Sequence, residues 1–77
     1  MKKIYRIELD VSDLGQLLDG LNSRAESWEK TTDYHRTGHS PPDFIIEESN
    51  DAHEAESIAN HYRSIIAKIQ EQQEAQS

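Results

Sequence analysis

Residues 31–44 read TTDYHRTGHSPPDF and separate two longer segments in which apolar residues recur at helical spacing. Gly38 suits the left-handed conformation that often follows the last turn of a helix. Pro41 and Pro42 cannot continue a helix, because each lacks a backbone N–H and clashes with the preceding turn. The stretch therefore predicts the end of one helix and a turn of the chain before the next.

The segment before this turn carries one apolar stripe. Asp13 suits a helix N-terminus, and apolar residues then recur at spacings of three and four, namely Leu14, Leu17, Leu18, Leu21, Ala25 and Trp28. Gly20 weakens a helix, and Ser23 begins a second capping box. We therefore expect one long helix from Asp13 to about Thr37, and the alternative is two short helices.

Two further segments predict strands. Residues 5–11 alternate with the two-residue period of a half-buried strand. The apolar side of this strand holds Tyr5, Ile7, Leu9 and Val11, and the polar side holds Arg6, Glu8 and Asp10. After the turn, residues 43–48, DFIIEE, predict a short strand or an extended segment on the core.

The second helix has the most regular pattern in the chain. Asp51 suits its N-cap, with Glu54 three residues on. Its apolar stripe consists of Ala55, Ile58, Ala59, Tyr62, Ile65, Ile66 and Ile69. The polar segment 73–77 is expected to fray, which leaves one small domain over residues 1–72. The predicted class is α+β and mainly helical, with the helices forming a hairpin.

The size of the chain predicts self-association. A domain of 77 residues buries only about 60 to 65% of the surface that its unfolded chain exposes. Two long helices and one strand would seal their apolar faces poorly, so we expect a homodimer that completes a helical bundle and pairs the first strands. The large residues of both stripes are expected to form the core or the dimer interface: Leu14, Leu17, Leu18, Leu21, Trp28, Ile58, Tyr62, Ile65, Ile66 and Ile69.

Several kinds of chemistry have no support in the sequence. The chain has no cysteine, which fits a reducing compartment, and we expect a cytoplasmic protein. No apolar run has the length of a signal peptide or a membrane span. P-loop, dinucleotide-binding and serine-nucleophile patterns are missing, so we expect neither an enzyme nor a cofactor.

Four histidines are candidate metal ligands: His35, His39, His53 and His61. Asp33, Asp43 and Glu56 could add oxygen ligands to such a site. His35 and His39 are four residues apart and would share one helical face. However, Gly38 is expected to end the helix before His39. We therefore interpret the histidines as exposed loop and helix residues and expect no metal site.

The charge distribution favours a protein partner, especially a basic one. Fifteen acidic residues against eight basic ones give a formal charge of −7, which opposes binding to nucleic-acid phosphates. Asp19, Glu26 and Asp33 recur every seven residues on one side of the first helix, with Glu29 nearby. Such a row can stand in for phosphates and occupy a basic groove. The alternative is an ordinary solvated helix face. Tyr34 is a further candidate for the same binding surface.

Residues 17–38, LLDGLNSRAESWEKTTDYHRTG, and 46–69, IEESNDAHEAESIANHYRSIIAKI, resemble uncharacterised short acidic proteins of bacterial chromosomes and prophages. That resemblance implies no activity or site residues, but it adds a mobile-element setting. The leading hypothesis is an inhibitor that occupies a basic surface of a host protein.

Other functions remain open. Residues 5–28 can be interpreted as a ribbon-helix-helix antitoxin or repressor, with Ser23 capping the second helix. Its groove-reading residues would be Arg6, Glu8 and Asp10, and two acids suit DNA poorly. A structural or assembly subunit of a phage particle is a further alternative, followed by a metal-binding bundle.

Overall fold

The computed structural model describes residues 2–39 and 46–77, which contain two α-helices. Helix α1 spans Val11–Thr37 and helix α2 spans Ala52–Gln76. An ion pair joins Arg36, near the end of α1, to Glu56, near the start of α2. The helices are therefore antiparallel, and the predicted helical hairpin is confirmed.

Helix α1 is continuous, so the single long helix is confirmed and the alternative of two short helices is wrong. It begins two residues earlier than predicted, because Asp10 rather than Asp13 is the N-cap. The Asp10 carboxylate accepts a hydrogen bond of 2.8 Å from the backbone N–H of Asp13. At the other end, Gly38 has a φ of 74° and donates its N–H to the carbonyl of Tyr34 at 2.7 Å. The predicted helix end at Gly38 is confirmed.

The predicted strands are not found in the described parts of the chain. Residues 2–10 are exposed and have no regular secondary structure, and Val11 is already helical. A strand needs a hydrogen-bonded neighbour, and neither of the two helices supplies one. Residues 43–45 of the second predicted strand lie outside the described residues, and residues 46–48 have no regular secondary structure. The class is therefore mainly helical, and the α+β assignment is wrong for residues 2–39 and 46–77.

Helix α2 begins where the sequence predicts. The Asp51 carboxylate accepts the N–H of Glu54 at 2.8 Å, and the Glu54 carboxylate accepts the N–H of Asn50 at 3.0 Å. These bonds satisfy backbone donors that have no partner within the helix. At its other end α2 continues to Gln76, so most of the segment that the sequence predicts to fray is helical here. Neither α1 nor α2 combines the length and the apolar content that a membrane-crossing helix requires.

The core lies where the two stripes meet, toward the loop end of the hairpin. Trp28 packs against Ala55 and Ala59, and Ile58 and Tyr62 pack around this cluster. Ala25 and Ile66 are also buried, whereas Leu14, Leu18, Leu21, Ile65 and Ile69 are half-buried and Leu17 is 42% exposed. Burial of the apolar stripes thus decreases toward the open end.

Replacing Trp28 with alanine is expected to lower the free energy of unfolding by about 3 kcal/mol or more, because it removes the largest side chain of the core. The matched change Leu17→Ala should cost less than about 1 kcal/mol, since Leu17 is 42% exposed. Urea unfolding followed by helical circular dichroism measures both. Equal losses would show that the core is not centred on Trp28.

Candidate protein-binding site

Three exposed carboxylates form a row along α1: Asp19, Glu26 and Asp33, called the acidic row below. Seven residues make almost two full helical turns, so each side chain lies within about 20° of the next around the helix axis. Along that axis the row spans about 21 Å, because 14 residues rise about 1.5 Å each. The side chains are thus aligned as the spacing predicts.

Glu29 is a candidate for the same surface, but its carboxylate contacts α2. Arg63 donates from Nε to Glu29 Oε2 at 3.0 Å and from Nη2 to Glu29 Oε1 at 2.7 Å. Arg63 also donates from Nη1 to the amide oxygen of Asn22 at 2.9 Å. The hydrogen bonds from Arg63 lower the pKa of Glu29, and the Glu29 carboxylate raises the pKa of Arg63. Glu29 therefore joins the helices and differs from the three acids of the row.

A shallow depression of about 320 Å³ lies beside Asp33, between the two helices. It is lined by Glu29, Thr32, Asp33, Arg36, Glu56, Ala59 and Asn60. Arg36 and Glu56 are already paired with each other across the helices. Most of the lining is polar, so the depression extends the acidic row with hydrogen-bonding groups and offers little apolar area.

The loop segment 46–49 is attached to the other side of α1. The N–H of Glu47 donates to the buried Thr31 hydroxyl at 2.9 Å, and Arg24 donates to the Glu47 carboxylate at 2.7 Å. Nε2 of His35 and the hydroxyl of Ser49 form a hydrogen bond of 2.8 Å. We call these three contacts the loop clamp. On the helical wheel its α1 residues lie roughly 140° to 180° from the centre of the acidic row, so the loop leaves the row uncovered.

Thr31 was missing from the predicted core, yet it is completely buried, and Thr32 is 4% exposed. Their hydroxyls donate to the carbonyls of Ser27 and Trp28, four residues earlier. This local bonding allows a threonine to be buried in a helix. Thr31 and Thr32 follow Trp28 by three and four residues, the same spacing that relates the residues of the apolar stripe. This spacing is the signal that could have identified them.

The remaining candidates are scattered. Tyr34 is 39% exposed, and its ring meets the ring of His35 edge-on at 5.8 Å. His39 lies beyond the end of α1, so His35 and His39 do not share a helical face. His53 and His61 are exposed on α2. In the described ranges, no three histidine or acidic side chains are grouped so that they could hold a metal ion.

A second surface is apolar. Seven large hydrophobic residues are exposed in the described parts of the chain, and six of them precede Asn22: Ile4, Tyr5, Ile7, Leu9, Val11 and Leu17. Residues of this group line a cleft of about 750 Å³ together with Leu14, Ile69 and the polar end of α2. An exposed apolar patch of this kind is typical of an interaction site.

Comparison with protein-family models, with curated protein sequences and with solved structures gave no significant match to this chain. The residues described above are therefore the basis for a function. They offer two surfaces of different chemistry, the acidic row on α1 and the apolar patch at the open end of the hairpin.

Glu29→Gln is expected to lower the free energy of unfolding by about 0.5 to 1 kcal/mol at pH 7, the usual range for a well-formed surface ion pair. Folding lowers the pKa of Glu29, so the pair stabilises the fold above the ordinary value of 4.5 and loses this effect as the pH falls through the lowered pKa. The difference between Glu29→Gln and the natural chain should therefore shrink as the pH is lowered from 7 to a value well below the lowered pKa of Glu29. Urea unfolding at both pH values measures it.

Asp19→Asn is the control for this pH dependence, because Asp19 is exposed and takes no part in the ion pairs between the helices. It should change stability little at either pH. A loss for Glu29→Gln that persists at low pH would contradict the assignment of the effect to the ion pair.

Thr31→Val is expected to cost about 1 to 3 kcal/mol, since it leaves the Glu47 N–H without its acceptor. Thr32→Val is the matched control, because the Thr32 hydroxyl bonds only within its own turn. Amide hydrogen exchange at Glu47 should accelerate in the first variant alone. Similar exchange and stability in both variants would argue against the loop clamp.

Proposed function

We propose that this protein is a small, acidic, non-catalytic protein-binding module, and that its acidic row occupies a basic, nucleic-acid-binding surface of a partner. The observation that carries the proposal is the alignment of Asp19, Glu26 and Asp33 on the exposed side of α1. A formal charge of −7 supports it, because it steers the protein toward basic surfaces and away from nucleic acid.

The charge spacing limits what the acidic row can imitate. Neighbouring carboxylates are about 10 Å apart along the axis, whereas duplex DNA carries a charge about every 1.7 Å. The separation is also about one Debye length at 0.1 M salt. The row therefore resembles a few phosphates at intervals, and it suits a groove whose lysines or arginines approach each carboxylate separately.

The contacts that hold α1 against α2 favour binding of a partner through the acidic row. Trp28 fixes α1 against α2, and Arg63 holds Glu29 and Asn22 close to the side on which the row lies. A helix that is already ordered loses little conformational entropy when its side chains are bound. Three separated ion pairs can then contribute to affinity without the additional cost of folding.

The resemblance to short acidic prophage proteins adds a biological setting to the proposal. In that setting the partner is a host protein that handles nucleic acid, and the module is a mobile-element inhibitor. The ribbon-helix-helix alternative gains less support, because α1 runs through Ser23 without a break and Glu8 and Asp10 would face DNA. A structural or assembly subunit would not need the acidic row.

The test is capture of binding proteins from extracts of the cells that encode this chain, at low and high salt. We expect a basic partner that high salt releases and that duplex DNA or RNA displaces. Asp19→Asn, Glu26→Gln and Asp33→Asn combined should weaken its affinity about tenfold, which corresponds to about 1.4 kcal/mol over three exposed charges.

The matched control combines Glu48→Gln, Glu71→Gln and Glu74→Gln, which changes the net charge equally at three exposed positions off the row. Its affinity should stay close to that of the natural chain. If both triple variants weakened the affinity equally, net charge and not the position of the row would determine the affinity. Binding that is insensitive to salt, or a partner that nucleic acid cannot displace, would contradict the proposal.

A further inference from the structure

Residues 2–10 form an exposed segment without regular secondary structure before α1, which we call the N-terminal arm. Its apolar residues alternate with polar ones, yet Ile7 is 77% and Tyr5 is 71% exposed. Period-two alternation is the pattern of a strand with one face covered, and exposed backbone of this kind is a template for pairing with another strand. The described parts of the chain contain no strand that could pair with the arm.

We propose that the arm pairs with the arm of a second copy of this chain, as a two-stranded antiparallel ribbon whose two-fold axis passes through Ile7. The protein is then a homodimer in which residues 5–9 of each copy form the ribbon. This inference uses a different surface from the acidic row and does not depend on it.

The charges of the arm select this register. If the axis passed between two residues, odd-numbered positions would lie opposite even-numbered ones. Apolar and polar side chains would then be mixed on each face of the ribbon. With the axis at Ile7, Arg6 lies opposite the partner's Glu8 and Glu8 lies opposite the partner's Arg6. The other face then pairs Tyr5 with the partner's Leu9 and the two Ile7 residues with each other. Opposite charges and large apolar pairs are the cross-strand combinations that stabilise antiparallel strands.

The neighbouring registers are less favourable. An axis at Arg6 would set the two Arg6 side chains against each other. An axis at Glu8 would oppose the two Glu8 side chains and would need Asp10 and Val11 within the ribbon. Asp10, however, caps α1 by accepting the N–H of Asp13, and Val11 is the first helical residue. Of these three registers, only the axis at Ile7 both avoids a like-charge pair and leaves the start of the helix undisturbed.

The open end of the hairpin offers an apolar surface that continues the apolar face of the arm. The cleft of about 750 Å³ is lined by Tyr5, Ile7 and Leu9 of the arm and by Leu14, Leu17 and Ile69 of the helices. The apolar face of the ribbon is therefore continuous with the half-buried ends of both stripes. Two copies joined there would cover the part of each hairpin at which its own core ends.

The test exchanges charges between the two cross-strand positions. The natural chain is expected to be a dimer in sedimentation equilibrium, and Arg6→Glu alone or Glu8→Arg alone should weaken the dimer at least tenfold. The double variant, with both changes in one chain, should form the dimer again, and a mixture of the two single variants should form a heterodimer. Lys2→Glu is the control for Arg6→Glu, because it makes the same charge change in the arm outside the ribbon.

A cross-link tests the register directly, because the chain has no cysteine of its own. Opposed Cα atoms in antiparallel strands are about 4.5 to 5.5 Å apart, within the range of a disulfide. Ile7→Cys should therefore give a covalent dimer under mild oxidation. Tyr5→Cys should not, since Tyr5 lies opposite the partner's Leu9.

Three results would overturn the inference. One is a natural chain that stays monomeric at high concentration, as expected if the arm folds onto its own helices or binds the sheet edge of another protein. Another is a dimer that withstands both single charge changes, which would assign the interface to the helices. The third is equal cross-linking through Ile7→Cys and Tyr5→Cys, which would exclude a fixed register. Helical circular dichroism confirms that each variant is folded.

Discussion

Trp28 packs against Ala55 and Ala59, and the small side chains of these two alanines let the helices lie close together. The polar contacts between the helices require this proximity. The guanidinium of Arg63 reaches Glu29, one residue after Trp28, and Thr31 is buried less than one turn further on. A single apolar contact therefore fixes both the ion pair on one side of α1 and the loop clamp on the other.

These two sets of contacts divide the surface of α1. The loop clamp covers the side that holds Arg24, Thr31 and His35, and Arg63 occupies the carboxylate of Glu29 at the seam between the helices. The acidic row lies on the side of α1 that neither set of contacts reaches. On α1 the acid that joins the helices, Glu29, and the three acids of the row are therefore different residues, and their separation follows from the angular position of each.

The features that the sequence predicts correctly are local ones. The αL glycine at the end of α1, the Asp51 cap and the apolar stripes each depend on residues within a few positions of one another. The alignment of the acidic row follows from the helical period in the same way. The predicted strand at residues 5–11 is wrong, because alternation shows only which side chains are apolar. A strand also needs a second strand to which its backbone can hydrogen-bond, and a single chain need not contain one. The role of Glu29 could not be predicted either, because Arg63 is 34 residues away in sequence.

Salt concentration affects the two proposed surfaces differently. Binding of the acidic row to a basic partner is an attraction between opposite charges, so screening weakens it at every concentration. Pairing of two arms combines attraction between Arg6 and the partner's Glu8 with repulsion between two chains that each carry a formal charge of −7. Screening reduces both effects, and because they oppose each other the salt response of the dimer has no fixed sign. Release of a partner by salt therefore reports on the acidic row, whereas the charge exchange between positions 6 and 8 and the cross-link through Ile7→Cys report on the arm.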